Sequence, residues 1–237
     1  MKVFANATII RAEDRGTANR AWLVSHHSFS FGRYYNPERM GFRSLRVIND
    51  DFIAAGGGFG THPHDNMEIF SYVLSGELEH QDSMGNKETL RRGDLQLMSA
   101  GSGITHSEYN PSKEQPIHML QIWIEPRELN TKPTYDDRHW SDEDKLGKWL
   151  LMLSPDAEAG SMAIRQDAKV YSTILRDDQA IEVAVGDGRY GYLHVADGEV
   201  RVDGEVLKAG DALELTGPVS MNMSAAQFGE LLFFDLA

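Results

Sequence analysis

Apolar positions along this chain come in short runs, several alternating with polar residues, and turn-forming residues interrupt them about every ten positions. The breaks include Asn49-Asp50-Asp51, Gly56-Gly57-Gly58, Ser75-Gly76, Met84-Gly85-Asn86, Arg92-Gly93-Asp94 and Gly101-Ser102-Gly103. Between them, residues 67–74, 95–98 and 117–124 read as strands, because a period of two sends alternate side chains to opposite faces of a sheet. Helical periodicity is nearly absent. Residues 141–153, with acidic side chains in the first turn, form the best helical segment, although the Asp-rich run 136–144 reads equally well as an exposed linker.

A second group of strand-like runs follows at residues 168–175, 190–195, 199–202, 212–215 and 230–235. It echoes the first. Tyr72-Val73-Leu74-Ser75-Gly76-Glu77-Leu78 followed by Arg92-Gly93-Asp94 matches Tyr192 to Val200, with its Gly198-Glu199, followed by Ala209-Gly210-Asp211. Each copy is a strand, a glycine turn, a strand and a Gly-Asp turn into another strand. The pattern predicts an all-β protein of two similar barrels in one chain: 1–135, a linker at 136–160, and 161–237, with the termini free to cross between barrels.

Composition narrows the chemistry. With 23 basic and 36 acidic residues the net charge is −13, which repels phosphate backbones and anionic membranes and argues against direct nucleic-acid binding. The absence of cysteine excludes disulfides, thiolate metal sites and a cysteine nucleophile, so any metal is held by nitrogen and oxygen. No apolar run is long enough for a membrane span, and the N-terminal stretch lacks the pattern of a signal peptide. A cytoplasmic protein is the expectation.

The strongest local signal is His62-Pro63-His64, since residues i and i+2 of an extended chain face the same side. Forty-two residues after His64 comes His106-Ser107-Glu108, a second such pair behind a glycine-rich turn. If the two segments are neighbours, three imidazoles and a carboxylate converge on one ion at about 2.0–2.2 Å. That set leaves one or two positions open on a metal preferring five or six ligands. Nitrogen and oxygen donors accept Fe, Mn, Co, Ni, Cu or Zn, and O2 chemistry at an open site makes iron the first expectation.

Other candidates carry less. Glu68 shares the face of His64 but lies about 13 Å further along an extended strand, which suits a supporting role. His26 and His27 sit in the aromatic-rich run 22–31 and read as packed or hydrogen-bonded residues. His80, His118, His139 and His194 read as structural or surface residues. In the second repeat, the approximate counterparts of His62, His64, His106 and Glu108 are Ala184, Gly186, Met223 and Ala225, so one metal per chain is expected. Phe59, Met67, Met98 and Trp123 are candidates for an apolar mouth able to stack a flat ligand, although such residues are more often simply core.

The motifs also carry a family resemblance. Phe29-x-Phe31-x2-Tyr34-Tyr35-Asn36-Pro37, Arg46-Val47-Ile48-Asn49-Asp50-Asp51, Gly60-Thr61-His62-Pro63-His64, His80 to Asn86, Ser99 to Glu108 and Gln121-Ile122-Trp123 resemble the pirin family of bicupins, most closely its bacterial quercetinase-type members. The resemblance is most specific over residues 20–125 and looser beyond. It implies a metal in the first barrel on His62, His64, His106 and Glu108, with Glu68 outside the ligand set.

It further implies quercetin 2,3-dioxygenase activity, an oxidoreductase reaction in which a flavonol and O2 meet at the metal, with Glu108 as the ligand able to act as a base. Animal relatives suggest a different role, a non-enzymatic metal or redox sensor read by a protein partner. An enzyme acting on another phenolic or enolic substrate is a third reading, because loops rather than fold set the substrate. A monomer is expected.

Overall fold

The computed structural model describes residues 3, 4 and 6–237. The chain divides into two compact units, one formed by Arg15–His139 and the other by the residues up to Asp14 together with Trp140–Ala237. Both are built almost entirely of antiparallel strands, the all-β bicupin arrangement.

Eleven strands make the Arg15–His139 unit: β1 Gly16–Arg20, β2 Leu23–His27, β3 Leu45–Ile53, β4 Gly58–His64, β5 Glu68–Ser75, β6 Glu77–Asp82, β7 Lys87–Arg91, β8 Asp94–Ser99, β9 Ile104–Tyr109, β10 Ile117–Ile124 and β11 Thr134–His139. Seven of them form one sheet in the order β11-β8-β5-β10-β3-β2-β1, and the other four form a sheet in the order β4-β9-β6-β7. The central strands β5 and β10 are buried nearly throughout, which explains their near-continuous apolar sequences. Ile53, Leu78, Ile117 and Met119 are 0% exposed in one apolar cluster, each stabilising the unit by about 2 kcal/mol.

One row of the seven-stranded sheet breaks the apolar rule. Pairing sets His27 opposite Asn49, Asn49 opposite Gln121, Gln121 opposite Ser71 and Ser71 opposite Gln96. All five are buried. Buried polar side chains need partners, so this row marks where the interior is built for something other than packing.

In the other unit, Ala7–Ile10 pairs with Ala212–Thr216, which in turn pairs with Tyr190–Val202. Phe228–Leu236 joins Tyr190–Val202 to Ala168–Arg176. Met223 and Ala225 lie within an apolar core cluster, while Ala184 and Gly186 are exposed.

Three details depart from the sequence reading. Only Asp142–Lys145 is helical within 141–153: Ser141 caps it in a capping box, Leu146 is already extended and Gly147 adopts φ 67°, so the chain turns away and Leu150–Ser154 becomes a strand. Within the expected linker 136–160, β11 runs to His139 paired with β8, and Leu150–Ser154 pairs with Ala168–Arg176. Gly198 does not divide two strands either; a bulge between Val195 and Asp197 lets Tyr190–Val202 run through as one.

Candidate metal centre

The two His/Glu segments are β4 and β9, and they are paired. His62 lies opposite His106 and His64 opposite Ile104, while on the far side of β9 Glu108 lies opposite His80 and His106 opposite Asp82. A register shift between His106 and Glu108 takes up Gly60 and Thr61 as a bulge, which increases local twist and re-aims β4 at the site. Gly58 is required beside it, since a Cβ there runs into the Glu108 carbonyl.

His62, His64 and His106 each offer a ring nitrogen within 4.8 Å of the others. The Nε2 atoms of His62 and His106 are 3.1 Å apart, and the ring centroids of His62–His64 and His64–His106 are separated by 4.8 and 4.9 Å. His62 Nδ1 donates to the Gly60 carbonyl at 2.8 Å, which leaves the lone pair on Nε2. The buried His64 Nε2 has no hydrogen-bond partner. An imidazole nitrogen left orphaned between two others is what a divalent ion satisfies, and this donor set suits one.

Electrostatics favour the ligand form. Burial, reinforced by His106 and His62, lowers His64 to about 4. Burial, with His62 and then His80, lowers His106 to about 3. Both imidazoles are therefore neutral, with lone pairs free, near pH 7.

Glu108 is 1% exposed and groups with His106 and His80 rather than with all three histidines at once. Ser71 Oγ donates to its Oε1 at 3.0 Å and Gln121 Nε2 to its Oε2 at 3.4 Å. Glu68 stands apart from these groups, accepting from Ser99 Oγ at 2.8 Å. Among the described residues, both groupings of three or more metal-competent side chains lie in the Arg15–His139 unit.

Of the apolar mouth candidates, Trp123 packs edge-on against His64 at 4.9 Å and, with Met67, borders a cavity of about 260 Å³. Phe59 lies 6.4 Å from His62, ring to ring, and borders a second cavity. Met98 is core: it is 0% exposed and packed with Ile69, Ala100 and Ile104.

The remaining histidines also find places. His26 contacts Thr17 Oγ1, His118 pairs with Asp50 at 2.7 Å and His139 with Asp94 at 2.7 Å. His27 is buried with its Nδ1 2.7 Å from Asn49 Oδ1. His80 is the residue that sequence reasoning undervalued. It is 0% exposed, and its Nδ1 lies 3.5 Å from His106 Nδ1. The available signal was His80-x-Asp82, the same i, i+2 pattern that singled out the other two pairs.

Comparison with known proteins gives the family. The Pirin family model matches residues 10–124, and the model for the quercetinase C-terminal cupin domain matches residues 151–236. The chain is 46% identical to a protein of Escherichia coli (strain K12) named quercetin 2,3-dioxygenase, over 95% of this chain and 96% of that one. A Caulobacter vibrioides pirin-like protein is 40% identical over 94% of this chain and 96% of its own length. The crystal structure of the bacterial pirin YhhW from Escherichia coli in complex with nickel(II) superposes with a TM-score of 0.91 at 44% identity, covering 97% of this chain and 98% of that one. The chain belongs to the pirin family of bicupins.

Proposed function

We propose that the protein is a metal-dependent dioxygenase that opens the ring of a flavonol such as quercetin with O2, with His62, His64, His106 and Glu108 holding a single divalent transition metal, iron for the O2 chemistry. The observation that carries this reading is the convergence of three imidazoles on one point, with an orphaned Nε2 at His64, in a chain 46% identical to a protein named quercetin 2,3-dioxygenase.

Held by these residues, a divalent ion would supply Lewis-acid and O2 chemistry toward the flavonol 3-hydroxyl, with ring opening expected to release carbon monoxide. The chain does the rest. Gly60 and His80 fix the ring tautomers of His62 and His106, so that both present Nε2 inward. Ser71 and Gln121 donate to both oxygens of Glu108, which sets its orientation. Trp123 against His64, and Phe31 edge-on against Trp123 at 5.4 Å, make the adjoining wall apolar and limit water.

Turnover tests the proposal. Metal-loaded protein is expected to consume quercetin and O2 one for one and release carbon monoxide, and His62→Ala to abolish all three. Unchanged turnover in His62→Ala contradicts the proposal.

A further inference from the structure

A cavity of about 660 Å³ lies between the β1–β2 hairpin, β3 and the loop carrying Phe31–Tyr34. One wall is aromatic and includes Phe59, the ring next to His62. The other is polar and buried: Ser25, His27, Asn49 and Asp51.

A directed chain of hydrogen bonds joins this wall to the metal site. His27 Nδ1 donates to Asn49 Oδ1 at 2.7 Å, Asn49 Nδ2 to Gln121 Oε1 at 3.3 Å, and Gln121 Nε2 to Glu108 Oε2 at 3.4 Å. The polar row across the sheet is therefore a bridge between two ends of one interior.

Asp51 stands out on that wall. It is 1% exposed, yet its Oδ1 has no hydrogen-bond partner. A buried carboxyl oxygen without a donor is costly unless a ligand completes it. Asp51 is also one of the residues that border the cavity. It is not a duplicate of Glu108, whose two oxygens already accept from Ser71 and Gln121.

We propose that this cavity binds the hydroxylated edge of an acidic phenol or enol, and that Asp51 is the catalytic residue that takes the hydroxyl proton. This rests on the dioxygenase reading above and assigns the proton to Asp51, both oxygens of Glu108 being occupied by donors. The substrate O–H bond breaks, a bond from an Asp51 carboxylate oxygen to that hydrogen forms, and the electron pair stays on the substrate oxygen. No electron transfer is involved in this step.

The charges around Asp51 suit the task. Burial pushes its carboxyl up to about 7, Ser25 on β2 opposes this by hydrogen bonding, and Glu108 on β9 and Asp50 on its own strand push it further up. His27, lowered by burial first, adds no positive charge near pH 7. A base poised near neutrality is matched to an acidic hydroxyl. Arg20 and Arg33, exposed at the cavity border, place positive charge there in a protein of net charge −13, which favours an anionic product of deprotonation.

The test uses Asp51→Asn, close in shape and free of the titrating group. Quercetin is added without O2 to metal-loaded wild-type and variant proteins at equal metal content, and the absorption band separating ionised from neutral flavonol is recorded from about pH 6 to 9. The wild type is expected to hold the ionised ligand at about pH 7.5. The variant is expected to bind with affinity within about threefold but to leave the ligand neutral there, and kcat with O2 to fall about 100-fold at little change in KM.

Ser25→Ala, which removes the bond favouring the ionised carboxyl, moves the acid-side midpoint of the kcat–pH profile to higher pH and gives a second reading if Asp51→Asn folds poorly. Ionised flavonol and full kcat in Asp51→Asn, or an unmoved midpoint in Ser25→Ala, overturn the role of Asp51 and leave the dioxygenase reading intact. A metal-loaded wild type that binds no flavonol overturns both.

Discussion

His80 Nδ1 lies 3.5 Å from His106 Nδ1, and Asp82 Oδ2 lies 3.5 Å from the Nε2 on the other side of the His80 ring. Asp82 is the fixed end of this chain. Burial raises its carboxyl, but hydrogen bonds from the Asn86 side chain and from the backbone of Asn86 and Met84 outweigh it and hold the group below its usual range. An ionised Asp82 keeps the His80 proton on Nε2, so His80 Nδ1 accepts from His106 Nδ1–H and the His106 lone pair faces inward on Nε2.

His80→Phe is therefore expected to weaken metal affinity by about 10- to 100-fold, with His80→Asn, whose amide oxygen can accept in place of Nδ1, retaining more of it. Competition with a chromophoric chelator measures both. Equal affinity in wild type and His80→Phe removes the orienting role.

Metal binding is also expected to stabilise the fold. The His62 and His106 Nε2 atoms face each other at 3.1 Å, and if both carry lone pairs, they repel without an ion between them. Saturating metal at about 100 times Kd adds about 2.7 kcal/mol of stability. Calorimetric melts with and without chelator show it as a rise in Tm. His64→Ala is expected to lose most of that rise while keeping the metal-free Tm within a few degrees.

The pH dependence of the metal-free protein separates two groups by sign. His64 and His106 titrate at about 4 and about 3 when folded, below the free value of 6.5. Between those limits the unfolded chain binds more protons, so stability falls as pH drops through that window. Asp51 acts in the opposite sense. Its folded value of about 7 lies above the free 3.8, so its contribution is full below about pH 4 and is lost as pH rises through 7. Urea titrations at about pH 5, 6.5 and 8 are expected to show Asp51→Asn gaining on wild type as pH rises. A constant difference contradicts the buried-acid assignment.

How far these features are legible in the sequence depends on the range over which each is encoded. The pairs His62/His64 and His106/Glu108 are local, since an extended strand puts i and i+2 on one face whatever surrounds it. The two-unit repeat is legible for the same reason, through strand–turn signals within single copies. The polar row is not. His27, Asn49, Gln121, Ser71 and Gln96 come from five strands, and their alignment is a matter of pairing register that no single segment records. The helix is a third case: acidic residues after Ser141 do start one, but extended Leu146 and left-handed Gly147 end it after Asp142–Lys145.

The most direct test of the metal centre is a titration of metal-free protein with Fe(II) or Ni(II) without O2, followed by X-ray absorption at the metal edge. One ion per chain is predicted, with scattering from three imidazoles and a carboxylate, and His64→Ala and Glu108→Ala are each predicted to lose their own contribution and most of the affinity. Two ions per chain, or wild-type affinity and spectrum in His64→Ala, would contradict a single ion held by His62, His64, His106 and Glu108.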